Sequence, residues 1–277
     1  MKKICAITMV REDDFFLKKW IAYYGSQLEK KNLYIFFDGK DQDIPDFCEG
    51  TNTMLCDRVK GQVTKADKGR ILFLSKQANK LLQKYDLVIG TDVDEFLVVD
   101  PATGLSLSEY LNKLHINTSI SGLGVDVGQH LQKEKKLDPE RPYLEQRHFG
   151  YLSSRYTKAS VIATSVTWGS GFHRVKHRNF HIDPNLYLFH FGCIDLDMLK
   201  ERIQNSDRLA NGWSRHLNKR ARTIYIISRK KASNWETTVP KIRLMEKILR
   251  PIFAWNKPST YGLKQVVEIP ERFRKIL

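Results

Sequence analysis

Residues Asp86–Asp100 read DLVIGTDVDEFLVVD. An apolar run of strand type, Leu87-Val88-Ile89, ends at Gly90 and meets three acids, Asp92, Asp94 and Glu95. A second apolar run, Phe96 to Val99, follows at once. On an extended segment, residues two apart point to the same side, so Asp92 and Asp94 are expected to face one way. Two carboxylates about 4 Å apart repel by about 4 kcal/mol at an effective dielectric of roughly 20. A buried strand end keeps both ionised only with a cation between them. A hard divalent cation, Mn2+ or Mg2+, takes such oxygen ligands together with substrate phosphates. The bland alternative is that the two acids cap turns or pair with basic side chains.

Outward from this stretch, the periodicity gives the surroundings. Ile4 to Val10 reads as a strand buried on both faces. Asp13 or Asp14 can cap a helix from Phe15 with Phe16, Trp20, Tyr23, Tyr24 and Leu28 at helical spacing. Leu33 to Phe37 is a second strand and Thr53 to Cys56 a third. Ile71, Leu74, Ala78, Leu81, Leu82 and Tyr85 mark a helix over Gly69 to Tyr85. Such alternation predicts an α/β fold with a mostly parallel sheet, and ligands beyond the carboxyl ends of its strands. Three polar clusters gather there: Arg11-Glu12-Asp13, Asp38-Gly39-Lys40-Asp41, and Asp92 to Glu95. Neither GxGxxG nor GxxxxGK[ST] is present, so a bound phosphate needs another counter-charge.

The chain has 277 residues, 42% hydrophobic and 28% charged, which reads as soluble and globular. Its four cysteines form no CxxC pair, as expected of a reducing compartment. The opening MKKICAITMVREDD reads as a first strand rather than a signal peptide, and no stretch approaches the ~18 apolar residues of a membrane span. The net charge of +15 is uneven. Acids and bases balance over residues 1–100, whereas residues 201–277 carry 18 basic against 6 acidic side chains. A nucleic-acid binder would spread its basic residues over the folded half, so no nucleic acid is expected. Arg243, Lys247 and Arg250 with Met245, Ile248 and Leu249, then Phe253, Trp255 and Tyr261, suit an anionic membrane interface. A solvated or packed tail helix is the other reading. The expected location is cytoplasmic, with peripheral attachment to the inner face of the membrane.

The motif DVDEF after a helix and a buried strand resembles the Asp-x-Asp-Glu-Phe signature of GT-A fold glycosyltransferases. Val10-Arg11-Glu12-Asp13, Lys19-Trp20-Ile21-Ala22-Tyr23-Tyr24 and Phe37-Asp38 resemble the opening of the family 2-like and family 92-like groups. The resemblance covers residues 1–100 well and 101–195 loosely. It implies a GT-A catalytic domain over 1–195 followed by a helical basic region, 196–277. It also implies a nucleotide-sugar donor, a UDP-sugar foremost, and a glycan, lipid-linked or lipopolysaccharide acceptor. In that frame Arg11 and Asp38 approach the nucleotide, Asp92 and Asp94 hold the metal, and Glu95 reaches a catalytic or sugar-binding position. Arg70, Lys68 and Asn79 lie within reach of the donor. Asp126, in ISGLGVDVGQH, is either a general base on the acceptor side or a turn-capping Asp. In LFHFG, His190 is either a core histidine or, as the fold implies, the residue that completes the metal shell. His173 can meet donor phosphate or acceptor, and Trp168 can stack on a sugar or pack. A metal-dependent nucleotidyltransferase or phosphotransferase uses the same acids, and is the alternative enzyme class.

Overall fold

The computed structural model describes residues 1–59, 63–204 and 213–277. Part of the helical region expected over 196–277, residues 205–212, lies outside the described residues.

Four strands and two helices build the first half. They are β1 (Ile4–Val10), α1 (Asp14–Leu28), β2 (Leu33–Asp38), β3 (Asn52–Cys56), α2 (Val63–Leu81) and β4 (Leu87–Gly90). The strands run parallel in the order β3-β2-β1-β4. β1 is buried throughout because its two faces meet different layers. Ile4, Ala6 and Val10 pack in a cluster with Phe16, Trp20 and Tyr24 of α1. Cys5, Ile7 and Met9 pack with Ile71, Leu74 and Ala78 of α2. α2 starts six residues before the expected Gly69, since its first turns carry no apolar stripe to betray them.

The second half adds β5 (Glu95–Val99), α3 (Leu107–Lys113), β6 (Ser119–Gly128), β7 (Phe149–Leu152), β8 (Val161–Ile162) and β9 (Ile182–Cys193). The C-terminal part adds α4 (Leu196–Gln204), α5 (Trp213–Arg229), α6 (Trp235–Ile248) and β10 (Gln265–Glu268). Among the described residues ten strands form one mixed sheet with helices against it, an α/β fold. β8 runs antiparallel to both β4 and β6 and so joins the halves. β9 lies between β5, antiparallel, and β6, parallel. At the position of Gly124 in β6, an added Cβ would meet backbone atoms of Ser153, Tyr156 and Thr157 at 2.4–2.5 Å. That close approach seats the Ser153–Lys158 segment on the sheet.

The aromatic stripe of α1 does more than fill the core. The Trp20 indole donates to Thr91 Oγ1 at 2.9 Å, and the Tyr23 hydroxyl donates to the Leu97 carbonyl at 2.7 Å. The Leu97 amide in turn donates to the Tyr24 hydroxyl at 2.8 Å. These bonds pin the chain on both sides of the acid cluster. Asp13 stands at the N-cap position of α1 but does not cap it; its carboxylate pairs with Arg202 at 2.7 Å.

The C-terminal region is built into this body. β10 extends the sheet antiparallel to β7, and Trp235, Val239, Ile242 and Phe273 join the main core. The basic face expected of Arg243, Lys247 and Arg250 is corrected here. Arg243 is buried, donates to the Asp183 and Leu186 carbonyls, and lies 4.9 Å from the Tyr187 ring. Arg250 donates to the last carbonyls of α6, those of Glu246 and Lys247, at 2.8 Å each. That is the usual way for a cation to satisfy a helix C-terminus. Among the described residues no helix is long and apolar enough to cross a membrane.

Candidate metal and donor site

β4 stops at Gly90, and the chain turns before β5 begins. The Glu95 amide donates to the Asp92 carbonyl at 3.1 Å, closing a four-residue turn. The expectation that Asp92 and Asp94 share one side rests on extended backbone, and the turn removes that premise. The two carboxylates have different partners.

Asp92 accepts from Arg70 Nη1 at 2.7 Å and from Lys158 Nζ at 2.9 Å. Lys158, 3% exposed, also lies 2.5 Å from Glu95 Oε1. Burial alone would raise the Asp92 carboxyl, but the Arg70 and Lys158 charges outweigh it and hold it well below the carboxylate range. Glu95 goes the other way: its burial raises it, with Asp92 and Asp94 adding to the rise, and Lys158 offsets only part. Lys158 is held charged by Asp92 and Glu95 against the opposing effect of burial. These two cations answer the opening acid cluster in part, without metal.

Asp94 faces His190 instead. Glu95 and His190 are direct neighbours across β5 and β9, and His190 and Asp126 across β9 and β6. The side chain of His190 is 1% exposed. Its Nδ1 donates to Asp126 Oδ1 at 2.7 Å, and its ring stacks on Tyr156 with centroids 3.8 Å apart. Asp126 Oδ2 accepts from the Thr223 hydroxyl at 2.5 Å. Among the described residues the buried Nε2 has no closer polar partner than Asp94 Oδ2, at 3.5 Å. Burial would lower His190, yet Asp94 and Asp126 push it up to about 9.

Asp94, Glu95 and His190 each offer a ligand atom, all within 4.8 Å of one another. Gly192 keeps the space between two of them open, since an added Cβ would lie 2.7 Å from His190 Nε2 and 2.9 Å from Asp94 Oδ2. An oxygen-rich set with one imidazole, its far nitrogen fixed by a carboxylate, fits Mn2+ or Mg2+. Asp92, expected beside Asp94 as a ligand, is taken up by Arg70 and Lys158.

The other expected residues fall as follows. Asp126 is 2% exposed and fully engaged by His190 and Thr223. It orients the imidazole. Arg11 and Asp38 come together at the ends of β1 and β2: Arg11 Nη1 donates to the Asp38 carbonyl, and the guanidinium grips Asp41 with two bonds of 2.9 Å. The Asp38 carboxylate accepts from the Val59 amide at 2.7 Å. His173 is half-buried and follows Phe172, whose ring lies 6.0 Å from Arg70 and 5.9 Å from Lys158. Trp168 is buried and donates to the Ala159 carbonyl at 2.8 Å, so it packs rather than stacking on a sugar. Asn79 exchanges two bonds of 3.0 Å with the Val166 backbone, a structural role, and Lys68 is exposed on α2.

Lys158, Arg202, Tyr156 and Thr223 stand at the site without having been expected there. Lys158 carries one signal, a lone lysine at the head of the apolar run Ala-Ser-Val-Ile-Ala. Arg202 of α4 carries none. Its guanidinium reaches Asp13 at 2.7 Å, approaches Asp94 to 3.9 Å and lies 5.0 Å from the Phe16 ring.

No family model matches the chain, and no curated protein matches it. Solved structures with some likeness include a mannose-1-phosphate geranyltransferase from Thermus thermophilus. It is 10% identical, with 83% of this chain and 65% of that one covered and a TM-score of 0.32. Another is the apo structure of the bifunctional glycosyltransferase WbbM. It is 13% identical, with 59% and 31% covered and a TM-score of 0.28. The chain spans less than two thirds of the length of either. A likeness this slight says nothing of substrate or activity.

Proposed function

We propose that the chain is a metal-dependent glycosyltransferase of GT-A type. It moves a sugar from a nucleotide-diphosphate-sugar, a UDP-sugar foremost, to a hydroxyl of a glycan, lipid-linked or lipopolysaccharide acceptor. One observation carries the reading: Asp94, Glu95 and the buried His190 each bring a ligand atom within 4.8 Å of the others, beside a space that Gly192 leaves open. Bound Mn2+ or Mg2+ would supply positive charge to the diphosphate leaving group.

The chain's own residues then divide the work. Asp94 and His190 hold the cation, with Glu95 as the third residue of the set. Asp126 fixes the imidazole so that Nε2 presents its lone pair. Asp92 keeps Arg70 and Lys158 oriented, two fixed positive charges beside a reaction that builds negative charge on phosphate oxygens. Arg11 and Asp38 take the nucleotide side and His173 the donor phosphate. Glu95 and Asp126 serve the ligand shell rather than activating the acceptor.

Calorimetric titration of UDP and GDP, with and without Mn2+, tests the reading. Nucleotide binding strengthened by Mn2+ and lost in Asp94→Ala and His190→Ala is expected, with release of nucleoside diphosphate from the donor sugar. Equal binding without metal, or release of pyrophosphate, overturns it.

A further inference from the structure

The stretch from the last turn of α6 into β10 has a construction that the donor site does not need. Residues 247–267 contain Lys247, Arg250, Lys257 and Lys264 and not one acid. The loop is closed at its neck, where the Ser259 amide donates to the Leu249 carbonyl at 3.2 Å and the Tyr261 hydroxyl donates to the Arg250 carbonyl. Alternate residues anchor it. Ala254, Asn256, Pro258 and Thr260 are buried. The Asn256 side chain donates to the Val175 carbonyl at 2.7 Å and accepts from Arg174 at 3.3 Å.

The residues between the anchors point the other way. Ile252 is 102% exposed, Phe253 79% and Trp255 59%, while Ile248 and Tyr261 are exposed on either side. A held loop that displays large apolar side chains departs from ordinary surface composition, where such residues occur singly. Basic groups border the tip: Lys247 and Lys264 are exposed, and Lys257 Nζ lies 5.9 Å from the Phe253 ring. The loop also borders the segment that carries His173, since Asn256 is bonded to Arg174 and to the Val175 carbonyl.

We infer that this loop, with Ile252, Phe253 and Trp255 at its tip, docks the protein onto the surface of an anionic lipid bilayer. Charge chooses the occupant. Residues 247–267 carry four basic side chains and no acid, and a second copy of a +15 chain would set like charge against like. Aromatic and aliphatic tips flanked by lysine and arginine match the interface of an anionic membrane, where rings sit at the headgroup level. The basic side chains add an attraction that acts within a Debye length. The surface differs from the amphipathic helix face that the sequence suggests, because Arg243 and Glu246 of α6 are buried. Docking stands apart from the proposed transfer. Only its use, bringing the donor side to a membrane-borne acceptor, rests on that reading.

The test is co-sedimentation of the full chain with vesicles of phosphatidylcholine alone and of phosphatidylcholine with phosphatidylglycerol, without nucleotide or metal. Binding to the anionic vesicles, weakened by salt, is expected. The doubly substituted Phe253→Ser, Trp255→Ser protein should lose at least about tenfold in partitioning, as the loss of two interfacial rings implies. Its melting temperature should not move, because both side chains lie outside the core. Brominated lipid should quench a share of the tryptophan emission in the parent chain that Trp255→Phe removes. Absence of an anionic preference overturns the inference, and so does undiminished binding by the double variant. A dimer in sedimentation that the double variant dissociates also overturns it, by making the tip an interface between copies. Because donor and metal are absent from the assay, its failure leaves the donor site untouched.

Discussion

His190 on β9 and Asp126 on β6 are register partners in neighbouring parallel strands, and their side chains meet at 2.7 Å. The sheet itself therefore sets the imidazole tautomer. With Nδ1 donating to Asp126, Nε2 is the nitrogen turned towards Asp94, and a cation bound there would take the place of its proton. Asp126→Asn keeps the volume and removes the charge, so Mn2+ affinity should fall about 10–100-fold, the usual cost of losing a carboxylate behind a histidine ligand. Thr223→Val should act in the same direction and more weakly, through Asp126. Calorimetry with Mn2+ alone reads both; unchanged affinity in Asp126→Asn removes Asp126 from this role.

Gly192→Ala places a methyl 2.7 Å from His190 Nε2 and 2.9 Å from Asp94 Oδ2. The imidazole cannot easily retreat, since it is stacked on Tyr156 and bonded to Asp126. Metal binding should be lost while the far-ultraviolet circular dichroism stays that of the parent. If Gly192→Ala binds Mn2+ normally, the cation sits elsewhere.

Lys158→Met leaves Asp92 and Glu95 without their shared cation. Removing one partner of a buried ion pair costs about 3–5 kcal/mol, because the remaining charge stays desolvated. Urea unfolding should show a loss of that order, with Arg70 still paired to Asp92. A loss under about 1 kcal/mol, typical of exposed pairs, would mean that the network is open to water.

Glu246 gives the pH dependence. It is buried in α6, and its burial pushes the carboxyl from 4.5 up to about 7, with Thr157, Arg243 and Arg250 offsetting part of the rise. Between these values the folded chain binds more protons than the unfolded chain, so stability falls as pH rises. The contribution is complete below about 4.5 and gone above about 7. The whole excursion is about 3 kcal/mol. Glu246→Gln should flatten that part of the stability profile and raise stability at pH 8, as read by urea unfolding at several pH values. An unchanged slope from pH 5 to 8 would contradict the assignment.

The alternation of apolar runs in the first ninety residues was enough for β1, β2, β4 and the two helices, because burial on one face or two leaves its period in the chain. The gathering of acids at the carboxyl end of β4 followed from the same pattern and a general rule of α/β sheets. His190 was visible as a polar residue inside an apolar strand, and Asp126 likewise. What each of them touches was not. The Asp92–Glu95 turn sends two acids, two residues apart, to different partners, a matter of four backbone dihedrals that no periodicity records.

Lys158, Arg202, Tyr156 and Thr223 reach the site from 62 or more positions beyond Asp94, without a motif of their own. The basic tail shows the same division. Its charge excess is a property of composition alone, but burial of Arg243 depends on which face of α6 the core needs, and exposure of Ile252 and Phe253 on which residues of the following loop are anchored. Sequence by itself determined where strands and helices form and which kinds of charge the chain carries, since these depend on neighbours along the chain. Tertiary structure alone decided which charges neutralise one another and which stay available to a ligand. Those pairings join residues brought close by packing of the sheet, and their strength depends on how much water that packing excludes.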